Sequence, residues 1–145
     1  MSKTLHIASD HAGYELKEAV SAHLAKQSYT LVDHGTSDLQ SCDYPVFAQS
    51  LCKAVLESGA PGILICGTGI GMSVAANRFS GIRAALCGNE FLARACRQHN
   101  NANVLCLGSR VIGHGLALGI VDAFLETPFE GGRHEKRVAM LETGV

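Results

Sequence analysis

Ile63-Leu64-Ile65-Cys66-Gly67-Thr68-Gly69-Ile70-Gly71 decides how the rest of the chain is read. Three aliphatic residues lead into a thiol, and glycine then takes every second position. An unbroken apolar run fits a strand covered on both faces, as in a parallel sheet. The loop behind it is almost bare of side chains. Such a loop either lets an anion reach the backbone or merely turns a corner.

Outward from this stretch, short apolar runs alternate with segments of helical periodicity. Strands are expected at residues 4–9, 30–33, 62–66, 82–87 and 104–107. Helices are expected at 13–27, 45–58, 71–77, 89–99, 115–125 and 134–141. Leu16, Val20 and Leu24, and likewise Phe47, Leu51 and Val55, fall on one helical face each. Asn89 is placed to cap the fourth helix. Alternating strands and helices predict an α/β fold. It is a three-layer αβα sandwich around a five-stranded parallel, doubly wound, Rossmann-like sheet with right-handed crossovers. Residues 1–145 read as a single domain. Within it, the loop TPFEGGR at 127–133 sets off a basic C-terminal helix at about 131–145.

Apolar residues make up 47% of the 145 and charged residues 17%, which excludes a disordered chain. A net charge of −1 gives no basic excess for nucleic acid or for an anionic membrane. No apolar run approaches the roughly 18–20 residues that span a bilayer. The start, MSKTLHIASDHAG, lacks the apolar centre of a signal peptide. A soluble, cytoplasmic protein is expected. Six cysteines, at 42, 52, 66, 87, 96 and 106, include no C-x-x-C pair. They read mostly as small core residues in a reducing compartment, not as a disulfide or zinc framework.

In a doubly wound sheet, ligands sit beyond the carboxyl ends of the strands. Polar or glycine-rich stretches occur there: Asp10-His11, His34-Gly35-Thr36, Asp43-Tyr44-Pro45, the glycine loop after Cys66, and Gly108-Ser109-Arg110. His99-Asn100-Asn101, after the fourth helix, is grouped with them, and most are expected on one rim. Cys66 reads either as a buried structural thiol or as a reactive one. Amides at a helix start favour the thiolate, which is otherwise only a few per cent of a free thiol at neutral pH. G-T-G-I-G is neither a P-loop nor a complete dinucleotide fingerprint, and S-D-H-A-G follows the first strand. A nicotinamide cofactor is therefore not expected. Asp10 suits an N-cap as well as ligand contact. His99 suits a helix C-terminus as well as acid–base work. Arg133 and Arg137, four apart, share a helix face and could grip a phosphate or stay solvated, with Arg110 as a third cation.

The ordered set S-D-H-A-G, D-Y-P, I-L-I-C-G-T-G-I-G-x-S-x-A-A-N, G-I-R-A, R-Q-H-N, N-V-L-x-x-G-S-R and E-G-G-R-H resembles type B ribose-5-phosphate isomerases. These lie within the wider ribose/galactose isomerase family. The resemblance runs over nearly the whole chain. It implies interconversion of ribose 5-phosphate and ribulose 5-phosphate through an enediolate, with no metal or organic cofactor. Cys66 is implied as the base and Thr68 as its helper, with the amides of Gly67, Thr68, Gly69, Ile70 and Gly71 as the anion hole. His99 is implied in ring opening, aided by Asp10. His11, Arg110, Arg133 and Arg137 are implied at the phosphate, and Asn100 and Tyr44 along the sugar. The resemblance also implies a homodimer, or a dimer of dimers, with a shared active site. The C-terminal helix is expected on the partner. One branch of the family carries a glutamate base where this chain has Ile70, which places the chain in the cysteine branch. Ser9 stands where the first motif often has cysteine, and the Asp-His pair is intact. The competing readings are an isomerase of a six-carbon (allose or galactose 6-phosphate) or four-carbon phosphosugar, and a non-catalytic phosphosugar- or nucleotide-binding module.

Overall fold

A computed structural model describes residues 2–143; residues 144 and 145 of the expected C-terminal helix lie outside the described residues. Eleven elements follow one another: β1 (Lys3–Ser9), α1 (Tyr14–Ala25), β2 (Tyr29–Asp33), α2 (Tyr44–Ser58), β3 (Gly62–Cys66), α3 (Ile70–Ala76), β4 (Ala84–Leu86), α4 (Glu90–Asn100), β5 (Val104–Gly108), α5 (His114–Glu126) and α6 (Arg133–Thr143). The strands form one parallel sheet in the order β2-β1-β3-β5-β4. Ile63 of β3 faces Ile7 of β1 on one side and Leu105 of β5 on the other.

Successive strand residues point to opposite faces, and each face has its own core. Leu5, Ile7, Ile63, Ile65, Leu105 and Leu107 pack against α1, α4 and α5. Ala8, Leu64, Cys66, Val104 and Cys106 pack against α2 and α3. The three layers expected from the sequence are therefore present. Every residue of β3 and β5 is buried, which explains why those runs lack polar alternation. All six cysteines are free. Burial pushes the Cys52 thiol up to about 11 and the Cys106 thiol further still, so both behave as neutral core residues.

The fourth strand is shorter than residues 82–87. The Ile82 amide turns back to the Phe79 carbonyl, and the Arg83 amide is taken by the Asn103 side chain. Asn89 caps α4 as expected, accepting from the Leu92 amide at 2.8 Å. Lys17 of α1 is fully buried, because its ammonium donates to both oxygens of Asp33 at 2.8 Å and to the Thr36 carbonyl. That clamp fixes the loop behind β2. The Thr36 amide donates to the Ser9 carbonyl at the end of β1. No helix among the described residues is long and apolar enough to cross a membrane.

β1 and β2 are tied to α2 by a chain of imidazoles. His6 Nδ1 lies 3.0 Å from His34 Nε2, His6 Nε2 lies 2.9 Å from Ser58 Oγ, and His34 Nδ1 lies 3.2 Å from Ser50 Oγ. Two facing ring nitrogens can share one proton but cannot hold two. Burial, and for His6 the neighbouring His34, lower both rings from 6.5. Asp33 opposes the shift at His34 without reversing it. Between the ordinary and the lowered values, the unfolded chain binds more protons than the folded one. Stability is therefore full above about pH 6.5 and falls as the pH drops through that value. Thermal melts from about pH 7.5 to about pH 5.5 should show this fall, with a smaller slope in His34→Gln. An unchanged slope in that variant would remove the imidazole pair as its source.

Candidate active site

β1 and β3 are neighbours, yet the chain leaves β1 toward β2 and β3 toward the other edge. The crevice between their carboxyl ends is the switch point where doubly wound sheets take ligands. Asp10 and Cys66 flank it. The Asp10 amide donates to the Ile65 carbonyl at 3.2 Å, and Asp10 Oδ1 accepts from the Gly13 amide at 3.0 Å. Asp10 is thus a local turn brace and not the helix cap, since Gly13, three residues on, stands at the N-cap of α1. A Cβ on Gly13 would sit 2.6 Å from the Ile65 carbonyl oxygen, so the close approach of α1 to β3 needs glycine.

Cys66 ends β3, buried to 5% exposure, and its Sγ accepts from the Gly69 amide at 3.2 Å. Gly69 has φ +79°, and a Cβ there would fall 2.4 Å from Leu86 Cδ1. Thr68 Oγ1 accepts from the Ile70 amide at 3.2 Å, which leaves its own proton to donate outward. Two of the five amides of the glycine loop are thus engaged within the loop. Ser109, named in the sequence only as part of Gly108-Ser109-Arg110 and given no role there, splints the cradle: its amide donates to the Cys66 carbonyl at 2.9 Å, and its hydroxyl reaches the Ala12 carbonyl at 2.8 Å.

Further side chains close in on this crevice. Arg110 lies over Gly67, where an added Cβ would be 3.2 Å from its Nη1. Tyr44 lies against Gly71, where an added Cβ would be 2.8 Å from its ring. His11 Nδ1 accepts from the Cys42 amide at 3.3 Å. The neutral ring therefore carries its proton on Nε2, as a donor. Asp10, His11, Tyr44, Cys66, Gly67, Thr68, Gly69, Ile70, Gly71 and Arg110 are all on one rim.

His99 and Asn100 are not on it. They close α4, which runs against the strands, so they sit at the amino ends of the sheet. Gly62, the first residue of β3, donates its amide to the Asn103 carbonyl at 3.0 Å, just past α4. The expectation that the residues after the fourth helix share the rim is corrected accordingly: a helix reverses the chain. The five residues of β3 put on the order of 15 Å between the two ends. At the lower end His99, Asn100, His134 and Arg137 line a pocket of 220 Å³, and Arg133 begins the same helix, α6. Glu142 of α6 holds the Arg83 guanidinium at 2.6 Å and the Gly81 amide at 2.9 Å. His134, absent from the sequence reading, is buried beneath His99 with ring centroids 4.6 Å apart. The motif E-G-G-R-H contains it, and Arg137, one turn further along α6, lines the same pocket.

Comparison with known proteins gives one consistent result. The sequence pattern of the family described as Ribose/Galactose Isomerase matches residues 5–141. Ribose-5-phosphate isomerase B of Escherichia coli is 47% identical over 137 residues, covering 94% of this chain and 92% of its own. A crystal structure of a ribose 5-phosphate isomerase from Thermotoga maritima superposes with a TM-score of 0.96 at 51% identity, covering 99% of both chains. That of ribose-5-phosphate isomerase B from Mycoplasma genitalium, with bound ribulose-5-phosphate, superposes with a TM-score of 0.95 at 44% identity. It covers 99% of this chain and 96% of its own. With fold, motif order and near-complete coverage in agreement, the chain belongs to the ribose/galactose isomerase family, on its type B ribose-5-phosphate isomerase branch, and is an isomerase.

Proposed function

We propose that the protein interconverts ribose 5-phosphate and ribulose 5-phosphate by a cysteine-based proton transfer. The cradle around Cys66 carries this reading: a thiol at a sheet switch point, under a loop kept open by glycine. The Cys66 thiolate takes the proton from C2 of the open-chain aldose. The pair of electrons moves to O1, giving an enediolate. The same sulfur returns the proton to C1, while the O2 hydroxyl proton moves to O1. Thr68, in the loop itself, is the donor assigned to that second transfer. The Gly69 and Ile70 amides already hold Sγ and Oγ1. The growing oxyanion therefore falls to the amides of Gly67, Thr68 and Gly71, an electrostatic contribution of the oxyanion-hole kind.

Ring opening needs an acid–base group, and His99 is assigned that task with Asp10 beside the sugar. Topology supports delivery of His99 and Asn100 by a second copy of the chain, since in one chain they face the far end of the sheet. A homodimer with two composite sites is proposed accordingly. His11 and Arg110 on one side, and Arg133 and Arg137 on the other, supply the phosphate contacts, the cations through charge-assisted bonds.

The test is turnover with EDTA present on ribose 5-phosphate, allose 6-phosphate and galactose 6-phosphate in parallel. The pentose should be fastest. A faster hexose would keep the chemistry and change the substrate; no turnover on any of the three would overturn the assignment.

A further inference from the structure

We infer that His99, Glu130 and His134 form a binding site for a zinc-type divalent ion, and that its occupancy takes His99 out of service. One potential ligand atom from each residue lies within 4.8 Å of the other two. His134 Nε2 and Glu130 Oε2 are already 3.5 Å apart. That is close to the edge of a tetrahedron of zinc bonds about 2.1 Å long, which is about 3.4 Å.

The three residues come from three parts of the chain and are held in different ways. His134 is fixed, 7% exposed in the first turn of α6. The loop bearing Glu130 is clipped beside His99, because the Glu130 amide donates to the Gln98 carbonyl at 3.2 Å. His99 and the Glu130 side chain are exposed and free to turn. At present the two imidazoles are stacked, 21° from parallel. Rotation of His99 about its side-chain bonds points a ring nitrogen at the edge shared by His134 and Glu130.

Two imidazoles and one carboxylate favour zinc, cobalt or nickel over magnesium or calcium, which prefer oxygen. A fourth position stays open to water. Bound metal takes the lone pair of His99. Its effect on turnover is therefore inhibition, a consequence that rests on the ring-opening role proposed for His99. Metal binding itself does not rest on that role.

The full-length protein, stripped with EDTA and dialysed, is titrated with Co²⁺ and followed by visible absorption and calorimetry. One ion per chain is expected, with d–d bands of nitrogen and oxygen ligation, displaced by Zn²⁺ and not by Mg²⁺. Glu130→Gln and His134→Gln should each weaken binding about tenfold or more. Glu130→Gln alters an exposed side chain, so it guards against loss of the fold. Zn²⁺ should inhibit the unmodified protein, and Glu130→Gln should need about tenfold more ion for the same inhibition. No cobalt binding, equal binding in both variants, or a thiolate-to-cobalt band placing the ion on cysteines would each overturn the site. Binding at the expected ligands without inhibition would confirm the site and overturn the role of His99.

Discussion

Cys66→Ala should turn over ribose 5-phosphate about a thousandfold or more slower than the unmodified protein, while still binding it. In the proposed mechanism the thiol acts on a carbon-bound proton, so its contribution lies in the transition state and not in the bound ground state. The substitution is mild for the fold. Cys66 is a small residue among Leu64, Met72 and Cys106, and alanine loses one sulfur and the buried Gly69 amide's acceptor, about 1–3 kcal/mol. Binding is read with ribitol 5-phosphate, which has no carbonyl to isomerise. Exchange of a C2 deuteron with solvent reads the proton transfer directly. Cys66→Ser is the companion variant, since its hydroxyl can still accept from Gly69 yet is a poor base. Activity retained in the serine variant would reassign Cys66 to a structural role.

The second large effect separates one-chain from two-chain sites. Cys66→Ala and His99→Ala should each be nearly inactive alone. Unfolded together and refolded, they should recover about one quarter of the unmodified activity, because half of randomly paired dimers are mixed and each mixed dimer has one intact site. The intact site takes Cys66 from one chain and His99 from the other. A site contained within a single chain gives no recovery, because every such site in the mixture lacks one residue. The measurement needs only kcat per total chain against mixing ratio, with a maximum at equal amounts.

Much of this was legible in the residues. The buried strands are unbroken apolar runs, and the glycine at 69 is demanded by its left-handed backbone and by Leu86 pressing on it. The rim formed by Asp10, His11, Tyr44, Cys66 and Arg110 follows from where strands end. Three features needed coordinates. The length of β4 is cut by the Asn103 side chain, a long-range partner that periodicity does not reveal. Lys17 is buried only because Asp33 and the Thr36 carbonyl meet it. The stacking of His134 under His99 depends on how α6 returns to α4, which no local pattern fixes.

If Cys66 and His99 of two chains share a site as proposed, their separation along β3 also limits how subunits can be arranged. A side-by-side pairing that sets the Cys66 end of one chain against the His99 end of another lays the two sheets with their strands in opposite directions. A two-fold axis perpendicular to the strands does this and matches both ends at once, so no half-site is left over. A head-to-tail stack, by contrast, would carry strands in one direction through every subunit and leave an unmatched end at each terminus. Under the proposed composite site, closed two-fold symmetry gives every thiol an imidazole, and the number of working centres equals the number of chains.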